Sequence, residues 1–120
     1  MIVWRLEFEN EDGTWAGPYR AKHKTAAAQA LRDKVWHQHV KEPCNLPQPN
    51  PAPFDSEHRH VCGCPSLDTL QRWFSWSFNQ FISHGAAVTV YNVPDWAIAE
   101  QDELQVVYRE DAAEVLLRIR

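Results

Sequence analysis

Side chains that could hold a metal or act as nucleophiles are densest at residues 58–64, in the run His-Arg-His-Val-Cys-Gly-Cys. Thiolates and imidazoles are the ligands that zinc prefers in proteins. In a straight strand, His58 and Cys64 would lie about 20 Å apart, so one shared ion would require a turn at Gly63. With an upstream cysteine folding back, the candidate zinc ligands are Cys44, His58, His60, Cys62 and Cys64.

Two interpretations of this cluster stay open. One is a small zinc-stabilised interaction domain, and the other is a set of reduced thiols before a helix, with surface histidines. The chain has three cysteines, and this odd number favours free thiols in a reducing compartment. Cys64 lies just before a predicted helix N-terminus, where the helix dipole could favour a nucleophilic thiolate.

The sequence offers no complete set of catalytic residues. With four glycines in the chain, it lacks the glycine-rich phosphate loops of nucleotide-binding enzymes. The G-x-S-x-G nucleophile motif is also missing. His84, the first histidine after Cys64, lies at the far end of the helix predicted between them. We therefore assign no catalytic residue and expect no cofactor.

The elements that must position these groups begin with an N-terminal strand. Residues 2–8 alternate in hydrophobicity, which predicts a half-buried strand. Asp12-Gly13 predicts a tight turn, and residues 14–20 predict a short returning strand at a sheet edge. Thr25 can cap a helix over residues 26–40. The apolar stripe of that helix consists of Ala28, Leu31 and Val35.

The most strongly periodic segment of the sequence runs over residues 66–83. Its apolar residues recur at helical spacing, which predicts one helix with a broad core face. Ser66 is the predicted N-cap and Gly85 the residue that ends the helix.

The C-terminal third is rich in strand-forming residues. Residues 87–93 predict a strand, and the alternation over 104–109 and 113–119 predicts a hairpin. Residues 111–117 are also compatible with the start of a helix. The predicted fold is therefore α+β, an antiparallel sheet of about four to five strands with two helices packed on one face.

Length and charge exclude several classes of protein. The 120 residues predict a single domain, with a proline-rich surface segment at 43–53. The formal net charge is −4, whereas proteins that bind nucleic acid directly are normally basic. No apolar run approaches the roughly 20 residues of a membrane span, and acids replace the apolar stretch of a signal peptide. We therefore expect a cytoplasmic protein that contacts neither nucleic acid nor membrane.

Six tryptophans are many for this length, and tryptophan is enriched where proteins contact partners. On a helix over residues 66–83, Trp76 falls opposite the apolar face. It therefore either packs under the proline-rich segment or faces solvent as an interface anchor. Acidic residues near position 100 would attract a basic partner. The predicted partner-binding residues are Arg72, Trp73, Trp76, Trp96, Glu100, Asp102 and Glu103.

Several motifs resemble those of short uncharacterised proteins encoded by bacteriophages and prophages. They are Val-Trp-Arg-Leu-Glu at 3–7, Gly-Pro-Tyr-Arg at 17–20, Cys-Gly-Cys-Pro-Ser-Leu at 62–67, Arg-Trp-Phe at 72–74 and Leu-Gln-Val-Val-Tyr at 104–108. Such proteins are similar in size and acidity to the inhibitors that phages use against host defences, including anti-CRISPR proteins. The resemblance implies a phage product in the host cytoplasm. With the aromatic and acidic residues, it leads to the hypothesis of a host-protein inhibitor, directed for example at a nucleic-acid-binding defence complex.

A second resemblance leads to an enzyme class. ADP-ribosyltransferase-like folds place an arginine or histidine on the first strand, an aromatic residue near the nicotinamide and a glutamate late in the chain. The corresponding residues here are Arg5, Tyr19 and Glu103, and Gln101-Asp102-Glu103 has the Gln-x-Glu form of arginine-modifying members. The Ser-Thr-Ser type of motif is missing. This alternative implies NAD as cofactor.

Overall fold

The computed structural model describes residues 1–41 and 58–120. This part of the chain contains two antiparallel sheets and three α-helices, which confirms the predicted α+β class. The proline-rich segment and Cys44 lie outside the described residues. None of the helices in the described ranges is long and apolar enough to cross a membrane. The elements are β1 (Ile2–Glu9), β2 (Trp15–Ala16), α1 (Ala26–Lys41), β3 (His60–Gly63), α2 (Leu67–Phe74), α3 (Ser77–Ser83), β4 (Ala87–Asn92), β5 (Ile98–Gln101), β6 (Val106–Arg109) and β7 (Glu114–Ile119).

The first sheet has the strand order β2-β1-β4-β7 and contains the predicted N-terminal strand as β1. Because β1 alternates, Leu6 and Phe8 join the core cluster under the helices, whereas Val3 joins a second cluster on the other face. Gly13 has a φ of 85°, a left-handed conformation that glycine adopts without steric cost. The predicted turn and returning strand are confirmed, although β2 is only two residues long.

Helix α1 begins where the sequence predicts. The Thr25 hydroxyl accepts a hydrogen bond from the backbone N–H of Ala28 at 3.1 Å, as an N-cap does. Ala28, Leu31 and Val35 are all buried. The predicted stripe therefore packs into the core, where Leu31 and Val35 join the same cluster as Phe81 of α3.

The predicted single helix over residues 66–83 is wrong at one point, because the chain breaks at Ser75 into α2 and α3. Ser66 caps α2 as predicted, and its hydroxyl accepts from the Thr69 N–H at 3.1 Å. Ser75 has φ 53° and ψ −123°, a combination that residues with a Cβ rarely adopt. Gly85, with φ 101°, follows the end of α3 as expected.

Packing accounts for the break. Phe74 and Phe78 are buried on either side of it, and both belong to the core cluster under the helices. Between them, the buried Ser77 hydroxyl donates to the carbonyl of Phe74 at 2.6 Å. The turn at Ser75 therefore allows both short helices to bury their aromatic residues. The apolar periodicity continues across the break and does not reveal it.

The second sheet has the order β3-β6-β5 and is joined to the first through β1. Trp4 and Cys64 form an isolated antiparallel bridge with two backbone hydrogen bonds of 2.8 Å. A Cβ on Gly63 would lie 2.3 Å from Cγ1 of Val3, so only glycine allows β3 to approach β1 this closely.

The predicted C-terminal hairpin is wrong. β6 pairs with β3 and β5, whereas β7 crosses to the first sheet and pairs with β4. A single 3₁₀ turn at Glu110–Ala112 redirects the chain, and the strand follows it directly. Alternation identifies a strand but carries no information about which strand it joins.

Candidate functional site

A cavity of about 470 Å³ lies where six separate segments meet: β1, the loop after β2, α1, β3, the C-terminal half of α2 and the residue before β6. Arginines and aromatic rings dominate its lining. They are Arg5, Arg20, Arg32, Tyr19, Trp36, Trp73 and Phe74. Cavities of this size accommodate small organic ligands.

The loop at residues 17–20 forms one wall of this cavity. It closes through hydrogen bonds to the Gly17 carbonyl from the N–H groups of Arg20 (3.1 Å) and Ala21 (3.0 Å). A Cβ at position 17 would lie 3.0 Å from Nη2 of Arg5. The glycine therefore allows the loop to pass over the Arg5 guanidinium, and Tyr19 follows into the cavity.

Tyr19 is held by a buried hydrogen-bonded chain. Nε2 of His39 lies 3.0 Å from the carbonyl of Trp73 and must donate to it, so Nδ1 of the neutral ring accepts from the Tyr19 hydroxyl. Burial lowers the pKa of His39, which favours this neutral form. The chain joins the loop, α1 and α2 at the cavity wall.

Two of the three arginines are already fixed by the protein. Arg5 donates from Nε to the carbonyl of Cys62 at 2.9 Å and from Nη1 to Glu7 at 2.7 Å. Arg32 donates twice to the carbonyl of Tyr19, and its guanidinium lies over the Trp36 ring at 5.2 Å. Both arginines are thus held in place without a ligand.

Behind Arg5 lies a smaller cavity of about 280 Å³, built around the buried carboxylate of Glu7. The Tyr91 hydroxyl donates to Glu7 at 2.8 Å, and Nη2 of Arg118 lies 3.7 Å from it. Burial and the neighbouring Glu7 raise the pKa of Tyr91 to about 12, so the phenol stays protonated. This network holds the Glu7 carboxylate in place, and Glu7 in turn orients the Arg5 guanidinium.

The structure brings together only two of the three residues that the ADP-ribosyltransferase alternative requires. Arg5 and Tyr19 line the 470 Å³ cavity together, as the resemblance implies. Glu103 is exposed and does not line it, whereas Gln105 does. An NAD-dependent activity stays a prediction.

The four predicted zinc ligands within the described residues lie along one extended segment. His60 and Cys62 are in β3, with His58 before it and Cys64 after it. Within residues 1–41 and 58–120, no three histidine, cysteine or acidic side chains come together as a metal site would require. Cys44 lies outside the described residues, so the zinc hypothesis stays a prediction.

The expectation of a reactive thiolate at Cys64 is wrong. Its side chain is buried in the core cluster, and burial raises the pKa of the thiol to about 12. Burial also raises the pKa of Cys62. Loss of hydration outweighs any help from the nearby helix, so neither thiol is ionised near neutral pH.

The predicted partner-binding residues fall into different environments. Trp73 is only 6% exposed and belongs to the core, so it presents no surface to a partner. Arg72 is exposed, Trp76 is 39% exposed and Trp96 is 69% exposed. Trp96 follows β4, next to the second core cluster, and its ring lies 5.3 Å from the Arg109 guanidinium.

Trp76 is the residue that directly follows the Ser75 turn. Its indole N–H donates to Gln38 at 3.1 Å, and the Lys34 ammonium lies 5.0 Å from the ring centroid. One side of the ring is therefore held by α1 while part of it stays in solvent. We call Lys34, Gln38 and Trp76 the Trp76 surface.

The predicted acidic residues lie around the turn between β5 and β6. Asp102 accepts from the N–H groups of Leu104 and Gln105, both at 2.8 Å, so its side chain shapes that turn. Glu100 lies on β5, and Glu103 is exposed. Asp102 and Glu103 are exposed, whereas Glu100 is half-buried.

Sequence reasoning missed the contribution of α1 to both sites. Lys34 and Gln38 support Trp76, while Arg32 and Trp36 line the cavity. The i, i+4 spacing within each pair places its members on one helix face, which was the available signal. Which residues of other segments contact each helix face depends on tertiary packing, which the spacing does not reveal.

Comparison with known proteins identifies a matching family. The family model described as Bacteriophage T4 Y00F protein matches residues 1–120. No curated protein and no solved structure matches the chain. The predicted phage resemblance is thereby confirmed at the level of the family.

Proposed function

Because the chain belongs to the Bacteriophage T4 Y00F protein family, we propose that it is a phage accessory protein that binds and inhibits a host protein. The observation that carries the proposal is the strained turn at Ser75, which places a partly exposed tryptophan beside α1. The host target that we propose is a nucleic-acid-binding defence enzyme.

Backbone strain of this kind costs about 1–3 kcal/mol and is concentrated at functional positions. Directly after the turn at Ser75, the indole of Trp76 lies against Gln38 and Lys34. A tryptophan that is already fixed loses little side-chain entropy on binding. Such residues contribute most of the energy at protein interfaces.

The charges near the indole indicate what the partner presents. Lys34 lies beside the ring, and the exposed Arg72 precedes the turn. A complementary surface therefore combines an apolar pocket for the indole with at least one acidic residue. The overall charge of −4, including the exposed Glu103, would steer the basic face of a nucleic-acid-binding target from a distance.

The test is affinity capture from bacterial lysate with the wild type, Trp76→Ala and Trp96→Ala, followed by mass spectrometry. We expect one stoichiometric partner with the wild type and Trp96→Ala, and none with Trp76→Ala. Trp96 is the comparison because it is the other exposed tryptophan among the predicted partner-binding residues, and the proposal places the anchor at Trp76 alone. Addition of purified protein should then inhibit the captured partner's own activity.

Thermal unfolding of the same variants separates interface from core. Trp76→Ala should cost less than about 2 kcal/mol, well short of the 3–5 kcal/mol of a core tryptophan. A core-sized loss, or equal capture by all three proteins, would contradict the proposal.

A further inference from the structure

The charge of the 470 Å³ cavity is opposite to that of the whole chain. The sequence has 16 acidic and 12 basic residues. Yet the lining contributed by residues 1–41 and 58–120 contains Arg5, Arg20, Arg32 and His60 and no aspartate or glutamate. A cavity of this composition selects an anion.

The three arginines differ in how much of their charge is already balanced. Arg5 pairs with Glu7 at 2.7 Å, and Arg32 lies 3.2 Å from Asp33. Arg20 is exposed, and within the described part of the chain its side chain has no hydrogen-bond or ion-pair partner. Arg20 is therefore the lining residue with the most charge left to offer a ligand.

The rest of the lining favours a flat aromatic group. Trp36 is 41% exposed and carries the Arg32 guanidinium on its ring at 5.2 Å. The Tyr19 ring meets Trp36 edge to face, with centroids 5.2 Å apart. Nucleobases bind by stacking on such aromatic and guanidinium surfaces.

We propose that this cavity binds a nucleoside monophosphate, with its phosphate on Arg20 and its base against Trp36. The volume of about 470 Å³ suits a ligand of that size. Inorganic phosphate would leave the aromatic wall empty, and a nucleoside alone would leave Arg20 without its anion. The site is separate from the Trp76 surface, and each can be tested without the other.

The test is isothermal titration of the intact protein with AMP, GMP, CMP and UMP, alongside adenosine and inorganic phosphate. We expect saturable one-to-one binding of at least one monophosphate, and binding of adenosine and phosphate that is at least about tenfold weaker. Arg20→Ala should weaken monophosphate binding roughly tenfold to a hundredfold. Arg72→Ala, an exposed arginine outside the lining, is the matched control and should change nothing.

Two further measurements, the melting temperature and tryptophan fluorescence, distinguish a loss of binding from a loss of folding. Arg20 is exposed, so the melting temperature of Arg20→Ala should match that of the wild type. Trp36→Phe should bind but lose part of the tryptophan quenching that AMP causes in the wild type. The proposal is overturned if no monophosphate binds at about 1 mM, if Arg20→Ala and Arg72→Ala bind alike, or if the cavity instead cleaves NAD.

Discussion

Replacing Ser75 by glycine should stabilise this protein, although glycine inside a helix ordinarily destabilises one. Ser75 holds φ 53° and ψ −123° between α2 and α3, where its Cβ crowds the backbone. Glycine has no Cβ and adopts this conformation freely. The residue is exposed, so its replacement removes little packing.

The expected size follows from two opposing contributions. Release of the strained conformation contributes about 1–3 kcal/mol. The greater freedom of glycine in the unfolded chain opposes this by about 0.5–1 kcal/mol. The midpoints of these two ranges leave a net gain of about 1 kcal/mol, which corresponds to a rise in Tm of roughly 4 °C for a domain of this length.

Thermal unfolding of Ser75→Gly and Ser75→Ala decides between a turn and a continuous helix. At a strained turn, glycine stabilises and alanine, which keeps the Cβ, is nearly neutral. In a continuous helix over residues 66–83, alanine would stabilise by about 0.5 kcal/mol and glycine would destabilise by a similar amount. The second pattern would refute the turn, and with it the basis for the placement of Trp76.

Three further predictions address buried groups. Glu7→Ala should lower the free energy of unfolding by roughly 3–5 kcal/mol in urea titrations, because it removes the buried carboxylate that balances the largely buried Arg5. A loss below about 1 kcal/mol would mean that water screens the pair. Because its pKa is about 12, Cys64 should resist iodoacetamide at pH 8 in the native protein and react in urea, as read by peptide mass spectrometry; rapid native labelling would contradict this. The pKa of His39 lies below its ordinary 6.5, so this histidine binds a proton more readily in the unfolded state. The free energy of unfolding should therefore fall as the pH drops below 6.5, by at most about 1.4 kcal/mol per pH unit. His39→Asn should remove that part of the pH dependence, and an unchanged pH dependence would show that other groups cause it.

Local chemistry made the first strand, its turn and two helix N-termini predictable. Thr25 and Ser66 cap helices because their hydroxyls satisfy backbone N–H groups a few residues away, and such contacts can be read from the sequence. The turn at Gly13 and the alternation in β1 are equally local. Each depends on neighbours within a few positions.

The remaining features depend on distant residues. No glycine or proline marks the break at Ser75, where the core on both sides determines the conformation. The partner of β7 is a strand more than twenty residues earlier, so alternation alone placed β7 beside β6. The arginine-lined cavity assembles from six segments, and only Arg5 and Tyr19 were linked beforehand, through a resemblance.

The place of β1 in the first sheet also bears on how the protein is synthesised. Ile2 pairs with Asn92, so β1 leaves the ribosome some ninety residues before the strand that pairs with it. Before β4 is made, β1 can pair with β2 at Phe8 and Glu9 and with Cys64 through Trp4. Pairing between residues so far apart in sequence makes folding slow, and the nascent chain carries a largely unpaired apolar strand until β4 is made. We expect folding to be largely post-translational and yield to depend on the host's chaperones when a phage expresses the protein in a burst.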